Sequence, residues 1–207
     1  MEIMKLLSIA RMIGSAFAKP KQHVVIQEVP SGRVIDIGGG GEGVIGQAGG
    51  ARVVAIDRRV SEIHEAKVKA ASATWVAADA TRLPCKSHCL DGATAFFSCM
   101  YMSEDVTREA FREAGRALKK GGEFWIWDAQ MVPRGGVFAI RLRVDVGDQR
   151  TINTTYGVRA KEQSAAGIAG LLREAGFASD VTVNLRRWFM IKAKKSFCCE
   201  ASKDAGA

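Results

Sequence analysis

Long apolar runs are absent: no uninterrupted stretch among the 207 residues approaches the roughly 20 that span a bilayer. A helical membrane anchor is therefore excluded, and the chain reads as soluble and cytoplasmic with no membrane partner. A continuous secretion signal is also missing. Ala16-Phe17-Ala18 has the small-residue look of a cleavage site, but Arg11 divides the apolar region that a signal keeps intact. Cysteine is scarce and odd in number, five in all, which argues against a secreted disulfide framework. Cys85, His88 and Cys89 lie close together but lack the distant second ligand pair of a zinc pattern, so they read as loop residues and no metal is expected. The length leaves no room for a second full domain; residues 1–207 read as one. The net charge of +8 gathers largely at Lys5, Arg11, Lys19 and Lys21 and at Arg186, Arg187, Lys192, Lys194 and Lys195. Neither cluster carries the aromatic interleaving of an RNA-binding motif, so solvated charge is the favoured reading and nucleic acid is not the expected partner.

What is present in strength is Val34-Ile35-Asp36-Ile37-Gly38-Gly39-Gly40-Gly41-Glu42-Gly43. A β-branched run of this kind suits a buried parallel strand, and the glycines after it allow a tight turn and close approach of a ligand. Gly38, Gly40 and Gly43 have the G-x-G-x-x-G spacing. Asp57 ends a second apolar run, Arg52-Val53-Val54-Ala55-Ile56, where an acid commonly holds ribose hydroxyls. Spacing alone fits a nicotinamide or flavin nucleotide. Asp36 before the first glycine and Glu42 inside the loop would repel a pyrophosphate, however, and favour a phosphate-free cofactor carrying positive charge.

At these residues the sequence resembles the class I S-adenosylmethionine-dependent methyltransferases, whose first motif reads roughly Asp-x-Gly-x-Gly after a strand. The resemblance covers about residues 30 to 195. It implies a doubly wound α/β sheet of seven strands, six parallel and the last antiparallel, with S-adenosylmethionine as cofactor. It further implies cofactor contacts at Asp36, Gly38, Gly40, Gly43, Asp57 and Arg58, with Asp79 and Ala80 at the adenine edge and Ser98 beside them. A plain turn acid is the competing reading of Asp79. The Leu-x-x-Gly-Gly pattern of the family is matched at Leu118 to Gly122. Base-amine methyltransferases commonly carry an Asn or Asp-Pro-Pro-aromatic motif after the fourth strand, and Ser98-Cys99-Met100-Tyr101 departs from it.

Taken in order, residues 3–18 show the apolar spacing of an amphipathic helix, either packed on the core or, by the resemblance, a lid. Pro20 and Pro30 bracket a link. Strands are expected over 33–37, 53–57, 74–77, 91–98 and 124–128, and helices over 42–47, 61–71 with Ser61 as cap, 103–119 stopped by Gly121-Gly122, and 164–175. Residues 137–146 and 151–156 read as a hairpin inserted before the last helix, and 181–185 with 188–193 as the closing pair. Arg141, Arg143, Arg150 and Arg159 make that hairpin basic, which suits an anionic small-molecule substrate or, equally, the edge of a homodimer.

Methyl transfer needs in-line placement above all, so a catalytic base is optional. Asp128 and Tyr101 are the candidates for one. Cys99 at the rim leaves open a thiol or metalloid acceptor. Two competing readings stand beside the enzyme: a cofactor-binding module that has lost its chemistry, and a nicotinamide-dependent oxidoreductase on the same sheet.

Overall fold

Two sheets stack face to face. The computed structural model describes residues 21–133, 135–147 and 150–196, so the amphipathic helix expected at 3–18 lies outside the described residues. The large sheet contains β2 (Val34–Ile37), β3 (Val53–Asp57), β4 (Thr74–Ala77), β5 (Leu90–Phe96), β6 (Leu118–Ala129), β9 (Phe177–Asn184) and β10 (Trp188–Lys195) in the order β4-β3-β2-β5-β6-β10-β9. Six strands are parallel and β10, the last in sequence, runs antiparallel between β6 and β9. The expected architecture is therefore the observed one. The order reverses between β2 and β5, the crevice in which open α/β sheets bind ligands.

A second sheet was only partly foreseen. Its strands are β1 (Gln22–Ile26), β7 (Val137–Val146) and β8 (Arg150–Arg159), in the order β1-β7-β8. The hairpin β7-β8 matches the expected insertion with its second strand extended to Arg159, but the stretch read as a link after Pro20 contains a strand parallel to β7. Alternation explains the packing. Val24 and Ile26, with Ile140, Leu142, Val144 and Val146, turn one face inward onto Phe96, Phe97, Trp125 and Trp127 of the large sheet. Helix α1 (Val44–Gly49) completes that layer through Val44 and Ile45.

The opposite face is covered by α3 (Glu104–Ala117) and α4 (Ala165–Glu174), whose Ala110, Phe111, Ala114, Ile168 and Leu172 pack on Ile35, Ala93, Phe124 and Ile126. Both helices start as their sequences suggest. Ser103 Oγ accepts from the Val106 amide at 3.3 Å and Ser164 Oγ from Gly167 at 3.1 Å. Helix α2 (Val60–Lys69) differs: Arg59 is its N-cap, and Ser61 lies inside the helix instead of capping it. Gly121-Gly122 does not stop α3 either. The helix ends at Ala117, and the pairing passes from Leu90–Leu118 to Gly92–Glu123, so that the glycines sit in an irregularity of β6 where Gly121 takes φ 72°.

Candidate active site

The turn after β2 folds back over the end of β3. The amides of Gly38 and Gly39 both donate to the Ile56 carbonyl, at 2.9 and 3.0 Å, and that of Gly41 donates to the Glu62 carbonyl at 2.9 Å. Three amides that a pyrophosphate would need are thus already engaged. Glycine is required at Gly38 by geometry: φ is 72°, and a Cβ would lie 2.6 Å from that of Ser98. At Gly40 the requirement is steric, since a Cβ would fall 2.7 Å from Asp57 Oδ2 and 2.6 Å from Glu62 Cβ.

Gly38, Gly40, Asp57, Arg58, Asp79, Ala80 and Ser98, from the ends of β2 to β5, all line one cavity of about 540 Å³. Asp57 Oδ1 accepts from the Arg59 amide at 2.8 Å, which aims the carboxylate beside Gly40. Asp79 Oδ1 accepts from both the amide and the hydroxyl of Thr81, at 2.9 and 2.8 Å. Those bonds, the amide's first, hold its carboxyl below the ordinary range. The turn-acid reading of Asp79 and its place on the wall are therefore both met. Ser98 Oγ is buried without a hydrogen-bond partner among the described residues.

Two of the expected cofactor residues sit behind the wall. Gly43 is the αL N-cap of α1, packed toward Trp75. Asp36 is fully buried beneath the loop, where Thr94 Oγ1 donates to its Oδ1 at 2.8 Å while Oδ2, next to Gly39, has no hydrogen-bond partner among the described residues. Burial pushes its carboxyl up to about 7, against the Thr94 bond and with a smaller push from Asp57. Glu42 is neutralised by Lys69 at 3.1 Å. The acidity that faces the cavity comes instead from Asp57, Asp79 and Glu62. Glu62 and Arg59 escaped sequence reading because they occupy the first turn of an amphipathic helix, where such charges look merely solvated; they pair with each other at 3.3 Å.

The other side of the cavity is aromatic. Phe96 ends β5 and Phe97 follows it, Tyr101 ends a 3₁₀ turn over Cys99–Tyr101 with Met102 just after it, and Tyr156 reaches in from β8. Phe97 adopts φ 49°, a left-handed conformation uncommon for a bulky side chain, and stacks on Tyr156 at 5.5 Å with rings 13° apart. Tyr101 Oη accepts from the Gly157 amide at 3.2 Å, and burial raises its phenol.

Asp128 is not on this wall. It is completely buried at the end of β6, where Oδ2 accepts from the Cys99 amide at 2.8 Å and Oδ1 from the Ala129 amide and Gln163 Nε2, each at 2.7 Å. Burial pushes its carboxyl up to about 6 against those bonds. Its evident task is to fix the backbone that carries Tyr101. Lys161 serves the same turn, donating to the carbonyls of Cys99, at 3.1 Å, and Met102. Cys99 is 1% exposed, with its thiol raised by burial, so it offers no rim nucleophile. None of Arg141, Arg143, Arg150 and Arg159 lines the cavity; Arg143 bonds Asp145 at 3.2 Å and Arg150 bonds Gln47 at 3.2 Å. His88 bonds the Leu118 carbonyl at 3.2 Å and Cys89 the Lys86 carbonyl at 2.9 Å. Among the described residues no helix is long and apolar enough to cross a membrane, and no group of three acids, histidines or cysteines is arranged to hold a metal.

Comparison with known proteins agrees with this geometry. Residues 35–126, from β2 into β6, match the family model of the methyltransferase domain. No curated protein matches the sequence. Among solved structures, an S-adenosylmethionine-dependent methyltransferase from Mesorhizobium loti is 17% identical, over 82% of this chain and 93% of that one, with a TM-score of 0.57. A protein from Pyrococcus horikoshii is 14% identical, over 94% of this chain and 92% of its own, with a TM-score of 0.60. An amino pentose methyltransferase of Micromonospora echinaspora, involved in calicheamicin biosynthesis and solved with S-adenosylmethionine bound, is 13% identical over 80% and 84%, with a TM-score of 0.54. At these identities the likeness is one of fold.

Sheet order, cradle and matched segment together define a methyltransferase domain. Over residues 35–126 the chain carries this domain, on the fold of S-adenosylmethionine-dependent methyltransferases; it is an enzyme, and S-adenosylmethionine is its cofactor.

Proposed function

We propose that this enzyme methylates a small molecule lodged between the glycine cradle and the hairpin, by alignment and exclusion of water, without a base supplied by the chain. S-adenosylmethionine supplies an electrophilic methyl group; the chain supplies placement, and alignment alone contributes several kcal/mol to such a reaction. Asp57 holds the ribose hydroxyls, Asp79 and Ala80 take the adenine edge, and Arg58 flanks them. Gly38 and Gly40 admit the cofactor to the backbone, with Ser98 Oγ free to bond it. Asp36 and Gly43 act one layer back, shaping the loop. Residues 1–207 work as one catalytic unit.

The observation that carries this reading is the division of the cavity into two chemistries. Its acids stand on the cradle side, at the ends of β3 and β4 and the start of α2, while Phe96, Phe97, Tyr101, Met102 and Tyr156 make the acceptor side. A raised phenol already engaged by Gly157 is a poor base. The acceptor therefore brings a nucleophilic atom with an available lone pair.

The test is incubation of the enzyme with methyl-labelled cofactor and a small-molecule extract, followed by mass identification of what is labelled. Label in a compound of low molecular mass is the expected result. Label in protein or nucleic acid, or cofactor binding with no labelled product from any extract, would refute the proposal.

A further inference from the structure

The fold engages two of the cations that cluster near the end of the chain. Lys192 lies 3.7 Å from the centre of the Trp125 ring and 3.7 Å from Glu28, and Lys195 donates to the Leu118 carbonyl at 2.8 Å. Arg186 and Arg187 lie side by side in the turn between β9 and β10. They line a second cavity of about 620 Å³ at the carboxyl edge of the sheet, beyond β6, which shares no lining residue with the first.

Its chemistry is one-sided. Arg187 is held in place, its guanidinium 4.9 Å over the Phe138 ring and donating to the Ala139 carbonyl. Arg186 and Asn184 make no side-chain hydrogen bond or ion pair among the described residues. No Asp or Glu lines the cavity among the described residues, so the paired positive charge lacks a counter-charge there. Burial and the neighbouring Arg186 hold the Arg187 guanidinium below its ordinary value. Val132 and Leu185, both on the wall, stay about half exposed, at 51% and 48%. An anion satisfies the first feature and an apolar body attached to it the second.

We propose that this cavity binds a small molecule carrying a carboxylate or phosphate on an apolar body, its oxyanion held by the Arg186 and Arg187 guanidiniums and the Asn184 amide. A planar guanidinium matches either oxyanion in bidentate fashion, and one stacked on an aromatic ring loses little further freedom on binding. The site is separate from the methyl-transfer cavity and does not depend on what is methylated.

The test uses the full chain with arginine side chains observed by ¹⁵N NMR, titrated with phenyl phosphate, hexanoate and inorganic phosphate at ionic strength held constant with chloride. Saturable shifts of the Arg186 and Arg187 Nε–H signals are expected, with phenyl phosphate or hexanoate binding more tightly than inorganic phosphate. Arg186→Gln should weaken binding by about tenfold or more, the range for loss of a charge-assisted bond. Arg187→Lys, which keeps charge but loses the fork, should also weaken it. Calorimetric affinity for S-adenosylmethionine should stay unchanged in both variants, which separates this site from the cradle; failure of the wild type to bind that cofactor would count against the methyltransferase reading alone. Shifts that never saturate, that chloride reproduces, or that survive Arg186→Gln undiminished would overturn the proposal. A thymidine decamer that moves the same signals at lower concentration than phenyl phosphate, with steep loss in salt, would overturn it in favour of nucleic acid.

Discussion

Tyr101 and Gly157 meet across the mouth of the cavity, the phenol oxygen accepting the backbone amide at 3.2 Å. One residue belongs to the turn after β5 and the other to β8, so this bond ties the turn to the small sheet above it. If this link is structural and no base is needed, Tyr101→Phe should keep methyl transfer within a few-fold of wild type, since a lost general base would cost about 10²–10⁴-fold. Steady-state rates with the acceptor found in the labelling assay decide between the two.

Asp57→Ala should weaken cofactor binding about ten- to a hundredfold, the equivalent of a charge-assisted contact of about 1.5–3 kcal/mol. Calorimetry on the folded variant measures it. Unchanged affinity would remove Asp57 from the ribose role.

Gly40→Ala tests the close approach. The added methyl would fall within 2.7 Å of Asp57 Oδ2 and displace it. Affinity should drop more than tenfold, and the midpoint of urea unfolding should fall as well, because the methyl also lies 2.6 Å from Glu62 Cβ and α2 must give way. A folded variant with wild-type affinity would show that nothing binds close to this glycine.

Asp36 gives a pH signature. Its folded carboxyl titrates at about 7 against an ordinary 3.8, so between those values the folded state holds a proton that the unfolded state has released. Stability should therefore fall as pH rises through that window and level off above it. Asp128, raised to about 6, acts in the same direction. Asp36→Asn removes one of the two contributions: relative to wild type its stability should improve from pH 4 to pH 8, by at most about 4 kcal/mol. Urea unfolding at both pH values measures this, and a difference that is flat with pH would contradict the burial argument.

Lys161→Met should destabilise by about 1–3 kcal/mol by leaving the carbonyls of Cys99 and Met102 without their charged donor. Lys161→Arg should recover part of the loss. Thermal unfolding of both variants provides the comparison.

Much of this was legible from residue order. Val34 to Ile37 and the glycines after it define a buried strand and a tight turn through side-chain size alone, and Asp57, Asp79 and Ser98 end neighbouring strands whose carboxyl ends share one crevice. The paired runs around Gly147 likewise declare a hairpin. What stayed hidden depends on depth and on distant partners. Asp36 and Asp128 look like reactive acids in a sequence, yet full burial and hydrogen bonding make the first a support for the loop and the second an anchor for a turn. Glu62 looks solvated because only the fold of Gly40 and Gly41 against it shows otherwise. Gln22 to Ile26, opening on two polar residues between Pro20 and Pro30, does not declare itself a strand without its partner.

That short strand has an implication for how the molecule is made. His23 and Asp145 touch across 122 positions of chain, and among the described residues β1 pairs only with β7. On the ribosome it must wait unpaired until β7, 120 residues later, has been synthesised, whereas β2 and β3 can associate much sooner. The strands that carry the glycine turn are thus made before the strand that roofs the cavity.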